Sequence, residues 1–159
     1  MMNEVIEVFV EIERHSNQKF EWNKQTRQLY LDRTLSYPYF YPYAYGFIPN
    51  TLAPDGDPVD VIILTEKKIN NNQFISVAII GVLCMEDEQG VDDKLLCILV
   101  EDMNIIKSID DIPYQCLYDI QWFFSNYKNN RHGKWTIIHG YKGTEVAITI
   151  FNQCKSITK

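Results

Sequence analysis

The chain has 159 residues and a mass of 18.7 kDa, which predicts one domain spanning residues 1–159. Hydrophobic residues make up 46% of the sequence and charged residues 23%, so the chain can bury a core, and disordered or collagen-like classes are excluded. The net charge of −6 repels phosphate backbones and anionic lipid, which argues against nucleic-acid and membrane partners.

Neither a membrane span nor a targeting segment is visible. The longest apolar run, 74–85, is shorter than the ~18 to 20 residues that a span requires. The first thirteen residues carry four Glu and no Lys or Arg, unlike a signal or transit peptide. The four cysteines are far apart and lack a C-x-x-C pair, so they are interpreted as reduced, packed thiols. These features predict a cytoplasmic protein.

The first part of the chain carries three short segments with the alternating pattern of half-buried strands. They are residues 7–13, 19–22 and 29–31, and their close spacing predicts a meander. Residues 36–50, dense in Tyr, Phe and Pro, are predicted to form an ordered, aromatic loop.

Three longer apolar segments follow at 59–64, 75–85 and 95–100, and each predicts a buried strand. No helical pattern separates the strands of the first hundred residues, which favours an antiparallel barrel or sandwich over a doubly wound sheet. Residues 134–141 alternate like one more strand.

Two helices are predicted near the end of the chain. The first has Asp111 as its N-cap and Pro113 in its first turn, a common start signal. The second begins at about Thr144. The predicted inward side chains are Leu117, Ile120, Phe124 and Tyr127 in the first helix and Val146, Ala147, Ile150 and Phe151 in the second.

The densest chemical signal is the hexapeptide 55–60, which holds Asp55, Asp57 and Asp60 in a Gly- and Pro-containing turn. Two unit charges ~4 Å apart repel by ~4 kcal/mol at an effective dielectric constant of ~20. Protons or hard cations must offset that repulsion if the acids converge. A solvated acidic turn explains the local sequence equally well.

A second acidic cluster, 86–93, follows the predicted strand 75–85. It could be a solvated hairpin loop. Because strand ends converge on one rim of a small barrel, two clusters at strand ends instead favour a site for several ions with oxygen ligands, with Mg²⁺ as the ion.

Several cations and tyrosines accompany these acids. Each alone is a surface charge or a packed aromatic, but carboxylate-held Mg²⁺ combined with Lys, Arg and Tyr donors is what a phosphate polyanion requires. The glycines form no dinucleotide or Walker A loop, and the histidines have no zinc spacing. The cations and tyrosines are Lys19, Arg33, Lys94, Lys128, Lys134, Tyr41, Tyr45 and Tyr127.

The hexapeptide 55–60, D-G-D-P-V-D, resembles the D-x-D-P-x-D signature of the soluble family I inorganic pyrophosphatases. The resemblance covers roughly residues 8–151 and implies a mainly β (α+β) fold, a five-stranded OB-like β-barrel with two flanking α-helices. The other similar blocks, in the family's order, are 19–21, 32–33, 40–42 with 45–46, 81–88, 92–94, 127–128 and 133–135.

The resemblance also implies roles for individual residues. The implied Mg²⁺ ligands are Asp55, Asp60, Asp87, Asp92 and Glu21, with Glu11, Glu88 and Tyr41 around them. The implied substrate-binding residues are Lys19, Arg33, Tyr45, Lys94, Tyr127, Lys128 and Lys134. Of these, Arg33, Tyr45 and Lys128 are expected to act in catalysis together with Asp57, which would orient the attacking water and accept its proton.

The implied activity is Mg²⁺-dependent hydrolysis of inorganic pyrophosphate to two orthophosphates, by direct attack of a water bridging two metal ions. A homo-oligomer is expected, with a hexamer favoured over a dimer. Two alternatives remain: an OB-type nucleic-acid or ion-binding module, since fold does not determine function, and a Mg²⁺-dependent phosphatase acting on nucleotides or other phosphate esters.

Overall fold

A computed structural model of the chain describes residues 4–155, so the expected domain 1–159 extends beyond the described residues at both ends. The strands are β1 (Val5–Ile12), β2 (Gln18–Asn23), β3 (Gln28–Thr34), β4 (Ala44–Phe47), β5 (Asp60–Ile63), β6 (Gln73–Asp87), β7 (Gly90–Val91), β8 (Lys94–Leu99) and β9 (Thr136–Lys142), and the α-helices are α1 (Tyr114–Asn126) and α2 (Thr144–Cys154). No helix within 4–155 is long and apolar enough to cross a membrane.

Five strands pair in a closed ring. Following the ring, β1 pairs with β4, β4 with β5, β5 with β8, β8 with β6, and β6 returns to β1. The β5–β8 pair is parallel and the others are antiparallel. Strand β9 extends the sheet beside β6. The mainly β barrel with two helices is therefore confirmed.

The hairpin of β2 and β3 forms a separate two-stranded sheet. The predicted continuous meander from β1 is wrong, because β4 and β6 already occupy the two edges of β1. The hairpin is therefore an arm beside the barrel.

The aromatic segment 36–50, predicted as a loop, contains strand β4. The strand pairs with β1 and β5, and its backbone approaches β1 closely at Gly46. A Cβ added at Gly46 would lie 2.1 Å from the backbone oxygen of Phe9, so only glycine permits this approach. That contact joins residues distant in sequence, which explains why local composition did not indicate it.

A bulge in β1 places one acidic residue at the pocket described below. Val10 lies opposite Gly46 and Ile12 opposite Tyr45, so Glu11 is the extra residue in the ladder. Its side chain lines the pocket although it is only 9% exposed.

The predicted N-cap at Asp111 is wrong, since α1 begins at Tyr114 directly after Pro113. Residues Ile109–Asp111 instead form a short 3₁₀ turn. Its capping box uses the hydroxyl of Ser108 and the carboxylate of Asp111, which satisfies backbone N–H groups before the α-helix starts.

The two helices cover two clusters of core side chains. Helix α1 contributes Ile120, Phe123 and Phe124 to one, and α2 contributes Ala147 and Phe151 to the other.

Two helix positions differ from the sequence expectation. Val146 was predicted to face inward but is 43% exposed, whereas Phe123, not assigned to the core from sequence, is 1% exposed. All four cysteines are free, as predicted.

Candidate active site

The sixteen site residues named from sequence all line one pocket of about 430 Å³. Three parts of the chain build it: the barrel rim where β5 and β8 begin and β6 ends, the β2–β3 hairpin, and the segment after α1. Nine acidic and seven basic side chains line the pocket. The structure therefore brings together every one of these residues.

Lysine 94 lies at the centre of the barrel rim. It is 3% exposed, and its Nζ donates to Asp60 Oδ2 and to Asp92 Oδ1, each at 2.9 Å. Burial disfavours the charged form of Lys94, but the Asp60 and Asp92 carboxylates outweigh burial and hold its pKa above the ordinary range. Lys94 thus keeps its charge inside the protein.

Asp92 lies in surroundings that disfavour the ionised form of its carboxyl group. Burial, together with repulsion from Asp60, raises the pKa of Asp92 to about 6 despite the attraction of Lys94. One lysine therefore does not fully compensate the carboxylates around it, and additional positive charge at this rim would stabilise their ionised forms.

The turn before β5 holds two more carboxyl groups. The backbone N–H of Asp57 donates to Asp55 Oδ1 at 3.0 Å, and the Ala53 N–H donates to the Asp57 carbonyl at 2.7 Å. Burial raises the pKa of Asp55 above its ordinary value. Among residues 4–155, no donor contacts the Asp57 side-chain carboxylate, which is exposed at the pocket.

A second group of charges lies at the end of β6. Lys128 Nζ is 2.9 Å from Asp87 Oδ2 and 3.6 Å from Glu88 Oε2, and Lys134 Nζ is 3.6 Å from the same Glu88 oxygen. Burial alone would raise the pKa of Asp87, but the hydrogen bond from Lys128 lowers it below its ordinary value. The carboxylates therefore stay ionised and hold two lysines at the pocket.

The β2–β3 hairpin supplies a third group. Lys19 and Arg33 are partners across the hairpin, and both lie near Asp32, whose Oδ2 is 3.7 Å from Lys19 Nζ and 2.7 Å from Arg33 Nη1. Lys19 also pairs with Glu21. The Arg33 Nε is buried and has no hydrogen-bond partner, so the guanidinium of Arg33 is incompletely satisfied within the described residues.

Three buried tyrosines, Tyr41, Tyr45 and Tyr127, form the inner wall of the pocket. Lys94 Nζ lies 5.4 Å from the centre of the Tyr45 ring, a cation–π distance. Burial raises the pKa of Tyr41 and of Tyr45 well above the ordinary value. Their hydroxyls therefore keep their protons and can donate to an anion.

Glu11 is the most perturbed acid of the pocket. Burial, helped by repulsion from Asp60, raises its pKa from 4.5 to about 8, although the Trp22 N–H donates to its Oε2 at 3.0 Å. Its carboxyl is mostly protonated at neutral pH. Without an added cation, Glu11 thus contributes little negative charge.

The candidate metal ligands in the pocket are Asp and Glu carboxylates. Because Mg²⁺ prefers carboxylate oxygens, these ligands suit a hard cation. Within residues 4–155, no three acidic, His or Cys side chains lie close enough together to chelate an ion by themselves. Lysines occupy the spaces between several of the acids. This agrees with Mg²⁺ chemistry, since the ion keeps several waters and takes few protein ligands beside substrate phosphates.

Four polar residues that had no role predicted from the sequence also line the pocket: Lys24, Asp32, Gln89 and Arg131. Asp32 is adjacent to Arg33, which was named as a candidate site residue, so the position of Asp32 in the hairpin could have predicted its ion pairs. Lys24 and Arg131 lie in turns without a chemical motif, so only the fold shows that they reach the pocket.

The family model described as "Inorganic pyrophosphatase" matches residues 8–159. The inorganic pyrophosphatase of Helicobacter pylori strain J99 is 38% identical over 150 residues, which cover 92% of this chain and 87% of the relative. That of Campylobacter jejuni is 40% identical over 152 residues, covering 93% and 88%.

The fold is similar to that of solved inorganic pyrophosphatases. A Helicobacter pylori enzyme structure superposes with a TM-score of 0.91 at 34% identity, and the match covers 97% of this chain and 95% of that one. The similarity therefore includes the barrel, the hairpin and both helices.

Proposed function

The chain belongs to the inorganic pyrophosphatase family, and we propose that it hydrolyses inorganic pyrophosphate to two orthophosphates in a Mg²⁺-dependent reaction. Family membership makes it a hydrolase acting on pyrophosphate. The observation that carries the proposal is that one pocket combines carboxylates with Lys, Arg and Tyr donors. Such a site suits a polyanion bound together with cations.

Asp55, Asp60 and Asp92 would hold Mg²⁺ at the barrel rim, Asp87 would hold a further ion with Asp92, and Glu21 would hold one from the hairpin. Mg²⁺ supplies charge neutralisation of the phosphate oxygens and lowers the pKa of the attacking water. What supports this assignment is the raised pKa of Asp55 and of Asp92, both mainly from burial. Glu11, Glu88 and Tyr41 would lie around the metal ligands and help to position them.

Hydrogen-bond donors from several parts of the pocket would bind the substrate. The guanidinium of Arg33, which lines the pocket, and the protonated hydroxyl of Tyr45 would donate to phosphate oxygens. Charge-assisted hydrogen bonds of this kind are about twice as strong as neutral ones. The other proposed substrate ligands are Lys19, Lys94, Tyr127, Lys128 and Lys134.

Asp57 would orient the water and accept its proton. Its carboxylate is exposed at the pocket and has no donor among the described side chains, so its lone pairs are free for a water. The water oxygen forms a bond to one phosphorus while the bond from that phosphorus to the bridging oxygen breaks. The bridging oxygen leaves with the electron pair on the second phosphate, where Arg33, Tyr45 and Lys128 would stabilise the developing charge.

The test is release of orthophosphate by the purified protein with Mg²⁺ from three substrates: pyrophosphate, a nucleoside triphosphate and a simple phosphate monoester. Rapid release from pyrophosphate alone is expected. Equal or faster release from the triphosphate would favour the nucleotide-phosphatase alternative, and no release from any of the three would favour a binding module.

We also propose a cytoplasmic homo-oligomer, a hexamer in preference to a dimer, with residues 1–159 as one domain in each copy. An exposed aromatic row on α1 supports self-association, because Tyr114, Tyr118 and Trp122 are 79%, 50% and 40% exposed and follow one another at intervals of four residues. Exposed aromatic rows on one face are typical of interfaces. Light scattering would give the mass, and Trp122→Glu should reduce it if this face is buried between copies.

A further inference from the structure

Seven basic side chains line the pocket, and five of them are already paired with pocket acids. The paired cations are Lys19, Arg33, Lys94, Lys128 and Lys134. Within residues 4–155, the two pocket cations without an ion pair are Lys24 and Arg131. Their charges are therefore not offset by a neighbouring carboxylate.

Arg131 has the more specific position of the two. Its backbone N–H donates to the Lys128 carbonyl at 2.9 Å, and the Lys134 N–H donates to the Arg131 carbonyl at 3.2 Å. Two successive turns thus space three pocket cations three residues apart. Lys128 and Lys134 share Glu88, whereas Arg131 between them has no acidic partner in the described part of the chain.

The segment just before Arg131 is held by two further hydrogen bonds. The Asn129 N–H donates to the Asn126 carbonyl at 2.9 Å, and the Asn130 side-chain amide donates to Ser36 Oγ at 2.6 Å. Arg131 itself is partly exposed. Its backbone is therefore positioned by the fold while its guanidinium remains accessible to a ligand from solvent.

We propose that Arg131 is a further substrate-binding residue, which contacts a phosphate group at the mouth of the pocket and increases the rate of substrate capture. The inference rests on the proposed function. A guanidinium presents a planar pair of N–H donors that matches two phosphate oxygens.

The charge balance of the pocket explains why such a residue matters. Nine acids face seven cations, so beside the Mg²⁺ of the proposed function the protein itself attracts an approaching polyanion chiefly through cations that no neighbouring carboxylate neutralises. Lys94, at 3% exposure, is reached only after entry. An accessible, unpaired arginine acts before that step.

This position predicts a separation of kinetic parameters. Loss of Arg131 should weaken binding of the substrate and of the product orthophosphate, and should leave the chemical step unchanged because Arg131 is outside the Asp57 turn. We expect Arg131→Gln to raise KM about tenfold, in line with one lost charge-assisted hydrogen bond, with kcat changed less than twofold. Inhibition by added orthophosphate should weaken in parallel.

Arg131→Lys and Lys68→Gln serve as matched variants. Arg131→Lys keeps the charge but loses the paired donors, so it should recover part of the KM. Lys68 is exposed and outside the pocket, so Lys68→Gln removes one positive charge elsewhere and should leave KM unchanged. The salt dependence of kcat/KM should be weaker in Arg131→Gln alone, which a merely structural role would not produce.

The outcomes separate the two proposals. An active parent protein with equal KM in Arg131→Gln and Lys68→Gln would overturn the role of Arg131 and leave the proposed function intact. A parent protein that releases no phosphate from pyrophosphate would overturn the proposed function, and the inference would fall with it. A tenfold higher KM with unchanged melting temperature supports the role of Arg131.

Discussion

Asp60 and Lys94 are direct partners in the parallel pairing of β5 with β8, and Lys94 Nζ lies 2.9 Å from Asp60 Oδ2. The barrel register itself therefore creates this ion pair, between the buried Lys94 and the half-buried Asp60, at the first residue of each strand. Asp92 lies two residues before the start of β8 and accepts from the same Nζ at 2.9 Å. The acidic and basic sets of the pocket are thus linked by the closure of the barrel.

The buried position of Lys94 predicts a large effect of Lys94→Met. Removing the cation leaves Asp60 and Asp92 without their common partner, and breaking such a buried pair costs about 3 to 5 kcal/mol. Urea unfolding with EDTA should show this loss in the free energy of unfolding. Added Mg²⁺ should recover part of it, because a cation replaces the missing charge. Lys68→Met is the exposed control, and a loss in Lys94→Met no larger than in that control would contradict the prediction.

Gly46 tests the close approach of β4 to β1. A Cβ there would lie 2.1 Å from the Phe9 carbonyl oxygen, which is backbone and cannot move aside. Gly46→Ala should lower the free energy of unfolding by about 3 kcal/mol or more. At Gly143 an added Cβ meets no atom within 4 Å, so Gly143→Ala should cost less than about 1 kcal/mol. Equal costs in chemical denaturation would refute the proposed reason for the glycine.

Glu11 predicts a pH-dependent stability of the metal-free protein. Its pKa in the folded protein is about 8 against an ordinary 4.5, so the folded state holds the proton more tightly than the unfolded state. The contribution of Glu11 to stability therefore falls as pH rises between these values and levels off above about pH 8. The slope is at most about 1.4 kcal/mol per pH unit.

Glu11→Gln should remove this contribution. With EDTA present, the difference between variant and parent in the free energy of unfolding should change in favour of the variant from pH 5 to pH 8. Gln can still accept from the Trp22 N–H, so the comparison isolates the charge. Parallel pH profiles of the two proteins would show that the pKa of Glu11 is not raised.

Asp57→Asn tests the proposed base. Asparagine keeps the shape of the side chain but cannot accept the water proton, so kcat should fall by about 10² to 10⁴-fold while the protein remains folded. Asp110 is an exposed acid outside the pocket, and Asp110→Asn should keep normal turnover. Near-normal kcat in Asp57→Asn would remove Asp57 from the base role.

The residues of the candidate site could be identified from the sequence because many of them lie within short segments of the chain. Asp55, Asp57 and Asp60 lie within one hexapeptide, and although a solvated turn explains that hexapeptide equally well, the ordered set of similar blocks along the chain favours the site. Alternating and apolar strand patterns in the first hundred residues predicted an antiparallel barrel or sandwich, and the family resemblance implied the barrel.

The features that were not predictable depend on contacts distant in sequence or on competing local signals. Strand β4 requires the approach of Gly46 to Phe9, 37 positions earlier in the chain. The start of α1 was misplaced because Ser108 and Asp111 cap a 3₁₀ turn with the residue types that also cap α-helices. Arg131 belongs to no motif, and only its place in the folded loop brings it to the pocket.

Mg²⁺-dependent hydrolysis is tested most directly by the rate of orthophosphate release from pyrophosphate as free Mg²⁺ is raised from zero in a chelator-buffered solution. We expect no measurable release without Mg²⁺, a saturable increase as the carboxylates bind the ion, and loss of activity again when EDTA is added. A rate independent of Mg²⁺ and insensitive to EDTA would contradict this prediction.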